Sequence, residues 1–161
     1  MKKIAISIIL LFLCVDLCAQ AEASNWYFGS NAGLRFNENG STINLTDGRL
    51  NTDEGCTTIS DSDGNLLFYT DGITVWNRLH QPMPNANAAL RTGLFGDPSS
   101  TQSAIVVPKP EDPNIYYIFT VDTSIAGDPD RGFNYSTVDL TLNGGLGDVV
   151  PWSKNINLLQ D

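Results

Sequence analysis

The chain carries one histidine, His80, in the segment Arg78-Leu79-His80-Gln81-Pro82, and proton transfer near neutral pH would centre on it. A Ser–His–Asp site would need His80 to meet Ser99, Ser100 or Ser103 together with a carboxylate. No nucleophile-elbow sequence fixes any of these serines at a strained turn, so His80 reads as a solvated loop residue. Zinc fares no better. Outside the first twenty residues Cys56 is the only thiol, and one Cys with one His falls short of the usual three or four ligands. Cys56 sits in an alternating run, residues 55–60, where it reads as a small buried hydrophobe that cannot form an internal disulfide.

Calcium is the least implausible metal, because Asp61-x-Asp63-Gly64-Asn65 gathers several oxygens in a short loop. The complete calcium-loop pattern requires an acidic residue six positions after the glycine. Thr70 stands there instead. A plain hairpin turn therefore accounts for the loop, and Asp128-Pro129-Asp130 is an acidic loop of similarly low specificity. Gly144-Gly145-Leu146-Gly147 resembles a phosphate cradle, but Asp148-Val149-Val150-Pro151 follows where a helix N-terminus would be needed. Sequons at Asn39, Asn44 and Asn134 are common by chance. No catalytic, cofactor-binding or metal residue is assigned, and no cofactor is implied.

The elements that would carry these residues begin with an address. Lys2 and Lys3 precede an apolar run over residues 4–15, and small residues follow at Ala19 and Ala21. A positive start, a short apolar stretch and an A-x-A-like end make a secretory signal peptide, 1–21, with residues 22–161 as the mature part. The run is too short for a membrane span, which takes about 20 apolar residues. Leu13 and Leu17 precede Cys14 and Cys18, which disfavours a lipoprotein. Cleavage leaves 7 basic and 17 acidic residues, a net charge of −10. Such a surface has no electrostatic footprint for nucleic acid. With 42% apolar and 9% aromatic residues the chain is too hydrophobic to be a disordered tail.

Past Ala21 no window of a dozen residues sustains a helical apolar pattern, and strands alternate with tight turns. Trp26-Tyr27-Phe28 opens the series, with Leu34/Phe36 and Ile43/Leu45 each alternating at a spacing of two. Residues 56–60 and 66–70 flank Asp63-Gly64, a type I′ hairpin signal in which both central residues take positive φ. Residues 73–76 form a further strand, then a long polar connection, 77–98, holds at most one helical turn. Residues 103–107, 115–122 and 133–142 follow, and Val149-Val150 and residues 156–159 add final strands. In 133–142, Tyr135, Val138, Leu140 and Leu142 are the core candidates.

Segments 56–71 and 104–122 are weakly self-similar, each a strand, a polar turn, an aromatic strand, Thr and Asp, with Asp71 and Asp122 51 positions apart. A period of roughly 40–50 residues with about four strands per unit marks a β-propeller blade. Adjacent aromatics such as Tyr116-Tyr117 put one ring on each face of a strand, which suits a blade buried on both sides. A mature part of 140 residues holds about three blades, short of the roughly four to eight that close a ring. The expectation is an all-β fold, a partial propeller forming the first blades of a larger ring. A self-sufficient sandwich is the alternative.

The strings "NWYFGSNAGLRF" (25–36), "LNTDEGCTTISDSDGNLLFYTDGITVWN" (50–77), "MPN" (83–85), "GDPSSTQSAIVVPKPEDPNIYYIFTVD" (96–122) and "NYSTVDLTLNGGLGDVV" (134–150) carry a resemblance. They resemble the N-terminal region of Bacteroidetes-type gliding motility-associated C-terminal domain surface proteins, which are exported by type IX secretion. The resemblance implies WD40-like or quinoprotein-like blades followed by immunoglobulin-like modules and a type B sorting domain. It brings no catalytic residues. This chain ends before any sorting domain.

The functional expectation is a secreted, cell-surface, non-enzymatic scaffold or binding module of adhesin-like type. Its partners would be the remaining blades and downstream modules, with a glycan or protein as ligand and no nucleic acid. The alternative is a lactonase- or quinoprotein-dehydrogenase-type enzyme with its site in blades beyond this sequence. A third reading is a secreted sandwich that binds glycans through exposed aromatics.

Overall fold

Period-two alternation decides how the strands sit. The computed structural model describes residues 21–123 and 131–159. The signal-peptide segment 1–20, with Cys14 and Cys18, and the acidic loop Asp128-Pro129-Asp130 lie outside the described residues. Along β1 (Asn25–Phe28) Asn25 and Tyr27 are buried while Trp26 and Phe28 are exposed. It pairs antiparallel with β2 (Ala32–Phe36), which pairs with β3 (Thr42–Leu45), giving a first three-stranded sheet. The second sheet is β4 (Thr57–Ser60), β5 (Leu66–Thr70) and β6 (Val75–Asn77). The third has five strands. Its path runs β10 (Asp148–Val149), β9 (Phe133–Asp139), β8 (Ile115–Val121), β7 (Ala104–Pro108), with β11 (Ile156–Leu159) also paired to β9.

The second sheet is covered on both faces. On β5, Phe68 points to one side and meets Tyr116 of β8 edge-to-face, with ring centroids 5.5 Å apart. Val75, Met83, Leu94, Ile118 and Val138 complete that core. Tyr69, one residue on, points the other way, stacked on Tyr27 at 4.7 Å and on Trp76 at 5.5 Å. Leu50 closes this second core. The edges of β1 and β4 lie side by side without a backbone ladder. The Thr58 hydroxyl stands between them, accepting from the Tyr27 amide at 2.9 Å and donating to the Tyr27 carbonyl at 3.3 Å.

These sheets overturn the propeller, and with it the WD40-like assignment and the kinship drawn from the resemblance. Among the described residues there are three separate antiparallel sheets of three, three and five strands, all open, and none is curled into a ring or barrel. The self-similarity of 56–71 and 104–122 is real but local: each segment is a hairpin, β4–β5 or β7–β8. A strand–turn–aromatic strand pattern specifies two paired strands. It does not specify how many more join them or how the sheets close.

The turn at Asp61 also differs from expectation. Only Gly64 takes positive φ there (78°), and the register shifts between Ile59 and Ser60. The reason is Asp61, whose side chain gathers the following amides and favours a longer, bulged turn over the two-residue type I′ form. Ile73 and Thr74, expected in a strand, belong instead to a turn around Asp71, whose Oδ1 accepts from both their amides at 2.9 and 2.7 Å. Residues 77–98 are no polar bystander: they fold back on β6 through Met83 N–H to Val75 O and Val75 N–H to Ala86 O. The one turn expected there is present at Ala88–Leu90, capped by the Asn87 side chain.

Burial pushes the Asp71 carboxyl above its ordinary 3.8, outweighing the two amides that favour the charged form. The native state therefore holds this proton more tightly than the unfolded chain does. That contribution is complete below the ordinary value and is lost as pH rises through the raised one. Asp71→Asn keeps an oxygen for both amides and removes the charge. It is expected to be at least as stable as the parent at neutral pH in urea unfolding. Asp71→Ala, which leaves two amides unpaired, is expected to cost about 1–3 kcal/mol.

Candidate functional site

His80 is not free in its loop. The turn after β6 places it at positive φ (59°), held by the Asn77 side chain, whose Oδ1 accepts from the amides of Leu79 and Gln81. Its Nε2 lies 3.2 Å from Asp47 Oδ2, and its Nδ1 lies 3.2 Å from the Tyr69 hydroxyl. Asp47 Oδ1 accepts from the Tyr27 hydroxyl at 2.9 Å, and the Tyr69 oxygen accepts from the Arg49 amide at 3.0 Å. A carboxylate only accepts, so Nε2 presents its N–H to Asp47; in the neutral imidazole Nδ1 then accepts from Tyr69.

This is an Asp–His–Tyr relay in outline, with Asp47 (58% exposed) and His80 (19%) toward solvent and the tyrosines beneath them. The Tyr69 side chain is fully buried and Tyr27 is 5% exposed. Burial pushes the Tyr69 hydroxyl up to about 12, with the Asp47 charge adding to it against the opposing Arg49 amide. Burial, then the bond to Asp47, pushes Tyr27 higher still. Neither hydroxyl becomes an oxyanion near neutral pH. The cluster ties Asp47 and Arg49, in the segment after β3, to the first two sheets.

None of the three serines joins His80. Ser99 caps its own turn on Asp97, Ser103 is buried and donates to Gly55 O at 2.7 Å, and Ser100 lies buried without a protein partner for its hydroxyl. Asp47 is the residue sequence reasoning missed. Its only signal was the dipeptide Asp47-Gly48, which reads as a turn. The Cys56 thiol is half-buried, 3.6 Å from the Tyr27 carbonyl, and burial followed by Asp71 pushes it up, so it stays protonated. It borders a recess of about 250 Å³ lined also by Trp26, Phe28 and Thr58.

The Asp61 loop satisfies itself. Asp61 Oδ1 accepts from the amides of Asp63 and Asn65, and Oδ2 from the Asn65 side chain at 3.1 Å. Burial opposes the charge, yet these donors together hold the carboxyl below its ordinary range. Among the described residues no group of three or more His, Cys, Asp or Glu is placed to hold a metal. Leu142–Gly145 is a tight turn with Asn143 and Gly144 in the left-handed region, and a strand follows it. Asn134 of the third sequon is 1% exposed, its amide nitrogen spent on Arg131 O and Gly132 O.

The remaining candidate is a surface. On β8 the even residues Tyr116, Ile118 and Thr120 are buried, and the odd ones face outward. Cross-strand register aligns Ile105 with Phe119 and Tyr135, and Val121 with Phe133. Tyr135, expected in the core, therefore lies on this outer face beside Tyr117 and Phe119. A groove of about 350 Å³ runs across it, lined by Gln102, Ile105, Val107, Phe119, Val121 and Phe133.

No family model matches this chain, and no curated protein or solved structure does either. The groove must therefore be judged by its own chemistry. Among the described residues that line it Gln102 supplies the only polar side chain, and Ile105 is 48% and Val121 41% exposed. A sheet apolar on both faces is ordinarily covered on both.

Proposed function

We propose that the chain is a secreted, non-enzymatic binding module that engages its ligand through the open face of the third sheet. The observation that carries this reading is the groove lined by Ile105, Val107, Phe119, Val121 and Phe133, an apolar patch on the surface of a strongly acidic chain. The N-terminal sequence, with its Lys2-Lys3 start and Ala19-Gln20-Ala21 end, supports export. The hydroxyls of the buried Tyr27 and Tyr69 are committed to Asp47, His80 and the Arg49 amide, which favours binding over catalysis.

The test has two parts. Expressed with its own N-terminus in a Gram-negative host, the chain is expected outside the cytoplasm with a mass that begins at Gln20 or Glu22. Retention inside at full mass overturns export. The native protein is also expected to bind anilinonaphthalene sulfonate, with binding suppressed by Ile105→Lys; dye binding indifferent to that change removes the face from the proposal.

A further inference from the structure

The open face also says what kind of partner fits it. We propose that it docks a polypeptide presenting a row of apolar side chains flanked by Lys or Arg. The inference rests on the binding-module reading and adds the chemistry of the occupant.

The centre of the face is apolar and already rigid. Phe119 stacks on Phe133 at 5.8 Å with the planes 19° apart, and Tyr117 packs edge-on to Tyr135 at 6.2 Å. Rings that hold one another lose little further freedom when something lands on them. With Gln102 the one polar side chain among the described lining residues, a carbohydrate would find few partners there for its hydroxyls. Apolar side chains suit it better.

The ends of the face are acidic. At the Val121 end, Asp97 donates its amide to Val121 O, and its carboxylate is fixed by Ser99 and Thr123. Asp122 follows Val121 directly and accepts the Arg131 amide at 3.1 Å. At the other end stand Glu111, Asp112 and Asp139, the last directly opposite Ile115. Among the described residues Lys109 neutralises Asp112 at 3.3 Å and Arg131 lies over the Phe95 ring at 4.8 Å, so each end keeps an excess of carboxylates. An apolar centre between acidic ends complements an apolar row between basic ends.

The same charges disfavour the other occupants. A chain of net charge −9 repels anionic lipid, and a second copy would set acidic ends against acidic ends. Strand addition along β7 is hindered because Pro108 lacks an amide hydrogen at the end of that edge. Docking is therefore onto the face.

The probe is a labelled peptide of alternating Leu and Lys, compared with its Leu/Glu counterpart by fluorescence anisotropy on the purified full chain. The Leu/Lys peptide is expected to bind at least tenfold more tightly than Leu/Glu, and to weaken as salt rises. Ile105→Lys, at an exposed edge position, is expected to weaken it at least tenfold while far-ultraviolet circular dichroism and Tm are retained. Glu111→Lys, on an exposed turn, is expected to weaken it about threefold. Equal affinity for the two peptides, or binding indifferent to Ile105→Lys, overturns the proposal. So does dimerisation abolished by Ile105→Lys, or binding of phosphatidylglycerol vesicles through the same face. None of these results touches the export test, so the partner and the module can fail separately.

Discussion

Phe68→Ala is expected to lower the unfolding free energy by about 3–5 kcal/mol, the range for emptying a buried aromatic site. Phe68 is fully buried and sits at the one place where the second and third sheets share a core. Its ring reaches Tyr116 at 86° to the plane, so the substitution removes an edge-to-face pair as well as apolar area. The site has little room to collapse. Val75, Met83, Ile118 and Val138 around it come from two sheets and a loop, each held by its own backbone pairing. Urea unfolding at constant slope measures the loss. Leu90→Ala, at a 63% exposed position, provides the comparison and is expected to change stability by less than about 0.5 kcal/mol. A loss at Phe68 no larger than at Leu90 would mean that the two sheets do not depend on this contact.

That core also shows how far a strand pattern can be read. Tyr116 and Tyr117 were legible as one ring per face, because alternation along a strand is a local property. The structure puts Tyr116 inside and leaves Tyr117 on the open face. Met83, Ala86 and Leu94 were not legible. They lie in a connection rich in Asn and Pro with no period, yet they are 0%, 0% and 2% exposed. What buries them is tertiary. Asp148 accepts from the amide and side chain of Asn85, and the Lys154 ammonium donates to Asn85 O and Thr92 O, from sequence separations of 62 to 69 residues. No window of sequence contains that information.

The propeller failed for a related reason. Asp71 and Asp122 do play comparable parts, each accepting backbone amides just past an aromatic strand. A shared hairpin chemistry produced the apparent repeat. Sheet size was then set elsewhere: β6 is closed off by the returning chain at Trp76 and Pro82, whereas β9 gains β10 and β11. The His80 cluster was hidden in the same way. Tyr27, Asp47, Tyr69 and His80 are scattered over four stretches of chain, and the packing of the first sheet on the second brings them together.

That cluster predicts a steep loss of stability in alkali. Burial raises the Tyr69 hydroxyl from 10.0 to about 12, and Tyr27 is raised further by burial and by its bond to Asp47. In the unfolded chain both ionise near their ordinary value. Between the unfolded and folded values the unfolded chain thus binds fewer protons than the native one, and stability falls as pH rises. The stabilisation is complete below pH 10 and, for Tyr69, is lost by about pH 12, a change of roughly 2–3 kcal/mol for a two-unit shift. Tyr27 adds to it with the same sign. Phenolate absorbance followed beside circular dichroism checks this. Tyr27 and Tyr69 are expected to ionise only as the fold is lost. Tyr69→Phe is expected to flatten the alkaline slope. It also costs about 1–3 kcal/mol at neutral pH, because His80 Nδ1 and the Arg49 amide each lose their partner. If Tyr27 and Tyr69 ionised near pH 10 with circular dichroism unchanged, their hydroxyls would be open to water and the predicted alkaline loss would not arise from them.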